Sequence, residues 1–241
     1  MNKKYTYVWV SLIILIFGII VVPRIVDRLK SGTVIDMDRM NTVPQKKGLS
    51  YVLLNDVKRK VPSFQFINQD SLLISDKDYI GKVYVVEFFF TSCPSICPIM
   101  TENLVALQNQ FVNEPDFGIA SFSITPDYDT PKVLKRYAEK NGITDMDWHL
   151  LTGDKEAIYD LANSGFNIFA AEMPDAPGGF EHSGLFALVD RQGYIRSRLD
   201  KFGNPIVYYR GAITKTMGEN DHGEQEQISI LQEDIYKLLQ E

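Results

Sequence analysis

Cys93 and Cys97 are the only cysteines in a chain of 241 residues. They directly follow its most apolar run, Val83-Tyr84-Val85-Val86-Glu87-Phe88-Phe89-Phe90. A disulfide across so short a loop removes little entropy from the unfolded chain, so bulk stability is a poor reason for the pair. Two converging thiols are better suited to redox exchange or to holding a soft metal ion. On a helix, positions four apart share a face and would aim both sulfurs at one point. A Cα separation of roughly 6 Å there also permits a disulfide. A helix start at this place would favour thiolate over thiol through its N–H groups and dipole. Pro98 suits a first turn, where its missing N–H costs nothing.

A thiolate pair selects Cu(I) or Zn(II) over hard cations. Structural zinc wants four ligands, the cysteines are used up, and only His149, His182 and His222 remain. Two thiolates and one imidazole make a three-coordinate set that suits Cu(I) and underfills zinc, which favours copper. His182 is the strongest third ligand. It follows a Pro/Gly-rich stretch, Met173 to Glu181, and precedes a strand-like run from Leu185, so it lies on a loop able to approach the cysteines. The bland alternative is a histidine capping a turn. His149, after Trp148 at a strand start, reads as structural, and His222, among acidic residues, as solvated. Glu87 interrupts the apolar run; an outward-facing strand position explains it better than a buried proton relay for the thiols. Asp127 and Asp129, before Thr130-Pro131, read as turn and helix-cap residues. Met100 sits at core spacing and Met173 has no partner in the sequence. No phosphate-cradling glycine loop, Ser/His/Asp set or nucleotide motif is present.

These residues need elements to place them. Phe64–Ile67 and Ser71–Ile74 read as short strands, and Val83–Phe90 as a central strand covered on both faces. Met100, Leu104, Leu107 and Phe111 have helical spacing. Phe117–Ile124 alternates as a strand. Thr130-Pro131 opens a helix that Asn141-Gly142 stops. Trp148–Leu151 reads as a strand and Asp154–Ser164 as a helix. Leu185–Val189 and Tyr194–Leu199 flank the turn Asp190-Arg191-Gln192-Gly193, and Gln227–Leu239 closes the chain as an amphipathic helix. The order βαβαβα then ββα predicts a mixed sheet flanked by helices. A thioredoxin-like α/β sandwich satisfies it, with the cysteines at the carboxyl end of a central strand, where such folds place their sites.

Hydrophobic residues make up 45% of the chain, enough for a substantial core, and a net charge of −6 with dispersed basic residues excludes a nucleic-acid surface. Tyr5 to Val22 carries no charged residue and is 18 residues long, the short end of a membrane-spanning helix. Tyr5, Tyr7 and Trp9 at one end suit the headgroup layer. No small-x-small cleavage site and no lipidation cysteine follow, so an uncleaved anchor is expected rather than a secretory signal. Lys3 and Lys4 nearly balance Arg24, Arg28 and Lys30, so charge does not orient the span. The expected organisation is a tail at residues 1–4, a transmembrane anchor at 5–22, a polar tether at 23–60 and a globular domain at 61–241.

Phe89-Phe90-Thr91-Ser92-Cys93-Pro94-Ser95-Ile96-Cys97-Pro98 resembles the FxxTxCPxxCP signature of the SCO/SenC family of copper proteins. Ser123 to Pro131, Trp148 to Gly153, Glu181-His182-Ser183 and Leu188 to Gly193 are similar to its further segments, in the same order, from about Val61 onward. The resemblance implies a thioredoxin-like fold with copper held by Cys93, Cys97 and His182, as Cu(I) with Cu(II) as the alternative. It implies a metallochaperone rather than an enzyme, assisting the copper-A centre of cytochrome c oxidase, with subunit II, a copper donor and a periplasmic thiol reductant as partners. Because that insertion occurs outside the cytoplasm and no Arg/Ser-rich leader begins the chain, the expected location is a bacterial inner membrane with the domain in the periplasm. Ser95 and Thr125 stand where relatives often carry Asp, and Glu87 is also a departure. The alternative is a thiol–disulfide oxidoreductase keeping partner cysteines reduced. Against it, thioredoxin-class reductases carry CxxC and a cis-proline, whereas this chain has CxxxC and His182-Ser183-Gly184. A thiol peroxidase would need Thr where Phe90 stands.

Overall fold

Strand patterning dominates the chain, and the computed structural model realises most of it. It describes residues 12, 15–19, 21–23, 48–173, 179–199 and 205–241. Two units separate, Met1–Gln45 and Lys46–Glu241. In the first, the described residues are helical; most of the expected anchor, Tyr5–Val22, lies outside the described residues. Among the described residues no helix is long and apolar enough to cross a membrane.

The second unit begins with three two-residue strands, β1 (Ser50–Tyr51), β2 (Leu53–Leu54) and β3 (Val57–Lys58), followed by β4 (Gln65–Asn68) and β5 (Leu73–Ser75). Then come β6 (Val83–Phe89), α1 (Cys97–Gln110), β7 (Phe117–Ser123), α2 (Pro131–Asn141), β8 (Trp148–Thr152) and α3 (Lys155–Asp160). The hairpin β9 (Ala170–Glu172) and β10 (Phe180–His182) precedes β11 (Leu185–Val189), β12 (Ile195–Leu199), β13 (Pro205–Ile206), β14 (Tyr209–Arg210) and α4 (Ile228–Leu239). The main sheet runs β1-β12-β11-β6-β7-β8-β4-β5. β6, β7 and β8 are mutually parallel, and β11 pairs antiparallel with β6. The sheet is mixed, as the alternation of elements predicts. β1 pairs with β12 inside the segment expected to be tether, because Tyr51 finds a ring partner in Tyr194 (5.6 Å, edge-on) and joins the sheet.

Every residue of β6 is buried. One face presents Phe88, which stacks on Phe122 at 5.3 Å and meets Phe166 at 5.8 Å. The other presents Phe89, 5.5 Å from Tyr137 of α2, whose hydroxyl lies 2.7 Å from Thr101 Oγ1 of α1. The near-continuous apolar run thus covers both faces of a central strand. Side chains alternate along a strand, so a slip of one residue would exchange these two sets and is strongly disfavoured.

Packing is close where Gly211 passes the fully buried Phe186 ring. A Cβ there would lie 2.6 Å from Phe186 Cζ. Gly211→Ala should lower the unfolding free energy by about 1–3 kcal/mol, the usual cost of overpacking. Urea denaturation reads this directly, and an unchanged midpoint would show that the ring yields freely.

Candidate metal centre

The cysteine segment begins where β6 runs out. Phe90, the residue after the strand, packs its ring 5.5 Å from Phe180 of β10. The Cys93 N–H donates to the Phe90 carbonyl at 3.2 Å, so residues 90–93 form one turn. The helix starts only at Cys97, and Cys93 precedes it. This corrects the expectation that both cysteines share a helix. Pro98 is the reason: it stands in the first turn of α1 as built, but a helix begun at Cys93 would put it in the interior, where it lacks a donor and clashes with the preceding turn. The two thiols still meet, joined by a hydrogen bond, and Ser95 Oγ lies 3.6 Å from Cys93 Sγ.

Both cysteines are buried. Burial pushes the Cys97 thiol up, the hydrogen bond with Cys93 adds to this, and a backbone hydrogen bond at Phe90 works the other way. Burial of the thiol therefore works against the thiolate that a helix start favours.

The facing wall comes from β9 and β10. His182 pairs with Ala170 across that hairpin; its side chain lies outside the described part of the structure, as do residues 174–178. Its place is nevertheless bracketed. Two residues before it, Phe180 rests on Phe90. Two residues after it, Gly184 has a left-handed backbone (φ +65°), and a Cβ there would lie 3.1 Å from Ile96 Cδ1. The Gly184 carbonyl accepts from the Gly211 N–H at 2.8 Å. The Gly211 carbonyl in turn accepts from the Asn103 side-chain amide of α1 at 2.9 Å. The segment carrying His182 is thus attached to the cysteine turn at one end and to the cysteine helix at the other. Beside it opens a cleft of about 600 Å³, lined in part by Ser183, Gly184 and Arg210.

Glu87 is not outward-facing. It is buried in β6, and its Oε1 accepts from Ser121 Oγ at 2.7 Å. Ser121 Oγ also accepts from Trp148 Nε1 at 2.9 Å. Among the described residues Glu87 Oε2 has no hydrogen-bond partner. Burial pushes the carboxyl up to about 7, against the Ser121 hydrogen bond, which lowers it. Its charge is felt by Cys97 and Tyr137, which share its side of the sheet. The sequence does not betray this burial, since one carboxylate in an apolar run fits a solvent-facing position equally well.

Asp129 closes a turn, as its sequence suggests, but it does more than cap. The cap position of α2 is Thr130, while Asp129 is fully buried and receives donors from two loops, Thr91 among them. His149 is structural as expected: half-buried, it hydrogen-bonds Asn68 Nδ2 at 3.2 Å and meets Tyr79 edge-on, and burial lowers its pKa. His222 is exposed. Met100 is fully buried in the core and Met173 is exposed. Asp127 is exposed, 3.8 Å from Lys155. Among the described residues no three His, Cys, Asp or Glu side chains converge as a metal site.

The profile of the SCO1/SenC family matches residues 54–217. A SCO1 protein homolog of Bacillus subtilis is 33% identical over 138 residues, 56% of this chain and 71% of that protein. A protein of Stutzerimonas stutzeri, provisionally named for copper binding, is 29% identical over 153 residues, 61% of this chain and 72% of its own. Among solved structures, BsSco, described as a member of the Sco family of cytochrome c oxidase assembly proteins with a disulfide switch, matches with a TM-score of 0.59 and 27% identity. The match covers 76% of this chain and 94% of BsSco. These likenesses establish the thioredoxin-like α/β fold with a mixed central sheet.

Glu87 gives the domain a pH signature. Its folded pKa stands above the ordinary value of 4.5, so its contribution to stability is complete below about pH 4.5 and is lost as pH rises towards 7. Glu87→Gln should match the wild type at pH 4 and exceed it by about 3 kcal/mol above pH 7, from the size of the shift. Chemical denaturation at pH 4 and pH 8 checks this, and equal stabilities at pH 8 would contradict a Glu87 carboxyl whose pKa burial raises.

Proposed function

This chain belongs to the SCO1/SenC family, and we propose that it is a copper metallochaperone whose ligands are Cys93, Cys97 and His182. The observation that carries the reading is the bracketing of His182 between Phe180 on Phe90 and Gly184 on Ile96, which brings the histidine's strand to the cysteine segment. The donor chemistry fits. Two sulfurs and one imidazole suit Cu(I), and no further cysteine exists to complete a zinc site. The relative provisionally named for copper binding supports the same ion. Copper here is cargo: the thiols release their protons as the ion binds, and transfer requires a recipient offering a comparably soft set.

The likeness to BsSco supports a role in cytochrome c oxidase assembly. We place delivery at the copper-A centre, with subunit II as recipient and a separate copper donor upstream. In this reading residues 5–22 anchor the chain in a bacterial inner membrane, a tether follows, and the domain faces the periplasm. The oxidising side of the membrane then calls for a thiol reductant, because a disulfide between Cys93 and Cys97 cannot hold Cu(I).

One observation favours a second reading, thiol–disulfide exchange with partner cysteines. The two thiols are already hydrogen-bonded to each other, and the related BsSco is described with a disulfide switch. The His182→Ala variant separates the two. For a metallochaperone, the reduced protein binds one Cu(I) per chain, and this variant binds at least tenfold more weakly with an unchanged circular dichroism spectrum. Equal Cu(I) affinity in the variant removes His182 from the ligand set. Disulfide reduction that survives in that variant while Cu(I) binding by the wild type is absent selects the exchange reading.

A further inference from the structure

Asp129 ends a short turn after β7 and is completely buried. Its backbone is fixed, since its N–H donates to the Thr125 carbonyl at 2.8 Å. Four neutral donors converge on its carboxylate. Ser123 Oγ donates at 2.6 Å and Thr125 Oγ1 at 2.9 Å, both to Oδ2. The Thr91 N–H donates to Oδ2 at 3.1 Å, and the Thr91 hydroxyl donates to Oδ1. A carboxylate taken out of water depends on such donors for its solvation, and each charge-assisted bond is worth more than a neutral one. Two of the four belong to Thr91, which cannot shift without surrendering both.

Thr91 lies inside the turn that delivers Cys93. That turn is closed by the Cys93 N–H on the Phe90 carbonyl, so residues 90–93 move together. The Cys97 backbone belongs to the first turn of α1, and α1 is tied to the Gly211 and Ile213 carbonyls through Asn103, while the Cys97 thiol reaches back to Cys93 and the Phe90 backbone. Hence the backbones that carry the two sulfurs are anchored by different parts of the molecule. Of the two, Asp129 bonds directly to the turn that carries Cys93.

We propose that Asp129 is a positioning residue which, through Thr91, sets where the Cys93 sulfur stands relative to Cys97 and to the strand bearing His182. The proposal rests on the metal reading above for its purpose, but its geometry concerns the cysteine pair alone, so a redox readout tests it independently.

The experiment compares Asp129→Asn, Thr91→Val and Gln108→Ala in the full chain. Gln108 is a buried polar anchor at the far end of α1, bonded to the Gly142 carbonyl and to the Thr144 and Asp145 N–H groups, and it serves as the control for lost stability. Each variant is measured for thermal midpoint, for Cu(I) affinity by competition with bicinchoninate, and for the Cys93–Cys97 thiol–disulfide equilibrium against glutathione. All three should melt lower. Thr91→Val and Asp129→Asn should bind Cu(I) at least tenfold more weakly and shift the disulfide equilibrium at least tenfold, about 30 mV for a two-electron couple. Gln108→Ala should leave both within twofold of the wild type. The proposal is overturned if Thr91→Val stays within twofold in both readouts, or if Gln108→Ala shifts them equally. Should Asp129→Asn fail to fold, Thr91→Val decides. Should the wild type bind no Cu(I), the metal reading falls while the disulfide arm still tests the positioning.

Discussion

The site depends on the burial of β6. All seven of its residues are enclosed, with aromatic rings packed on both faces, and a strand so held cannot slide in register without exchanging its two apolar sets. Whatever follows Phe89 therefore leaves the sheet at a fixed point and in a fixed direction. The turn at residues 90–93 inherits that rigidity, and further contacts refine it: Phe180 against Phe90 and Asp129 against Thr91. The cysteines are placed by the core before any metal or partner arrives.

The strand bearing His182 reaches the cysteine segment by a different route. β10 belongs to a two-strand hairpin outside the main sheet, and its continuation through Gly184 is tied to α1 by backbone and side-chain hydrogen bonds at Gly211 and Asn103. One wall thus descends from the central sheet, and the other is attached to the cysteine helix. Burial pushes the Cys97 thiol up, towards its protonated form, and in the proposed reading a soft ion would displace that proton on binding.

Much of this was legible in the sequence because the signals were strong and local. The apolar run at Val83–Phe90, the Thr130-Pro131 start and Gly142 stop of α2, and the turn at Asp190–Gly193 each follow from chain chemistry that tertiary packing had no reason to override. The short strands were not legible. β1, β13 and β14 have two residues each, too few to show a period, and they exist because the sheet offers them partners. The helix start was misplaced because spacing alone puts Cys93 and Cys97 on one face, while Pro98 decides where the first turn can lie. The burial of Glu87 and Asp129 was missed for a common reason. An acidic residue in sequence looks solvated, and only the fold reveals the hydroxyls of Ser121, Thr91, Ser123 and Thr125 that make burial tolerable.

In the proposed reading, these contacts converge on one soft ion shared by two sulfurs and a distant imidazole. X-ray absorption at the copper edge, on the reduced protein loaded with one equivalent of Cu(I), reads that coordination sphere atom by atom. The account predicts two sulfur scatterers and one nitrogen, with the nitrogen shell lost when His182 is replaced by alanine. A sphere of sulfur alone, or a nitrogen shell that persists without His182, would contradict it.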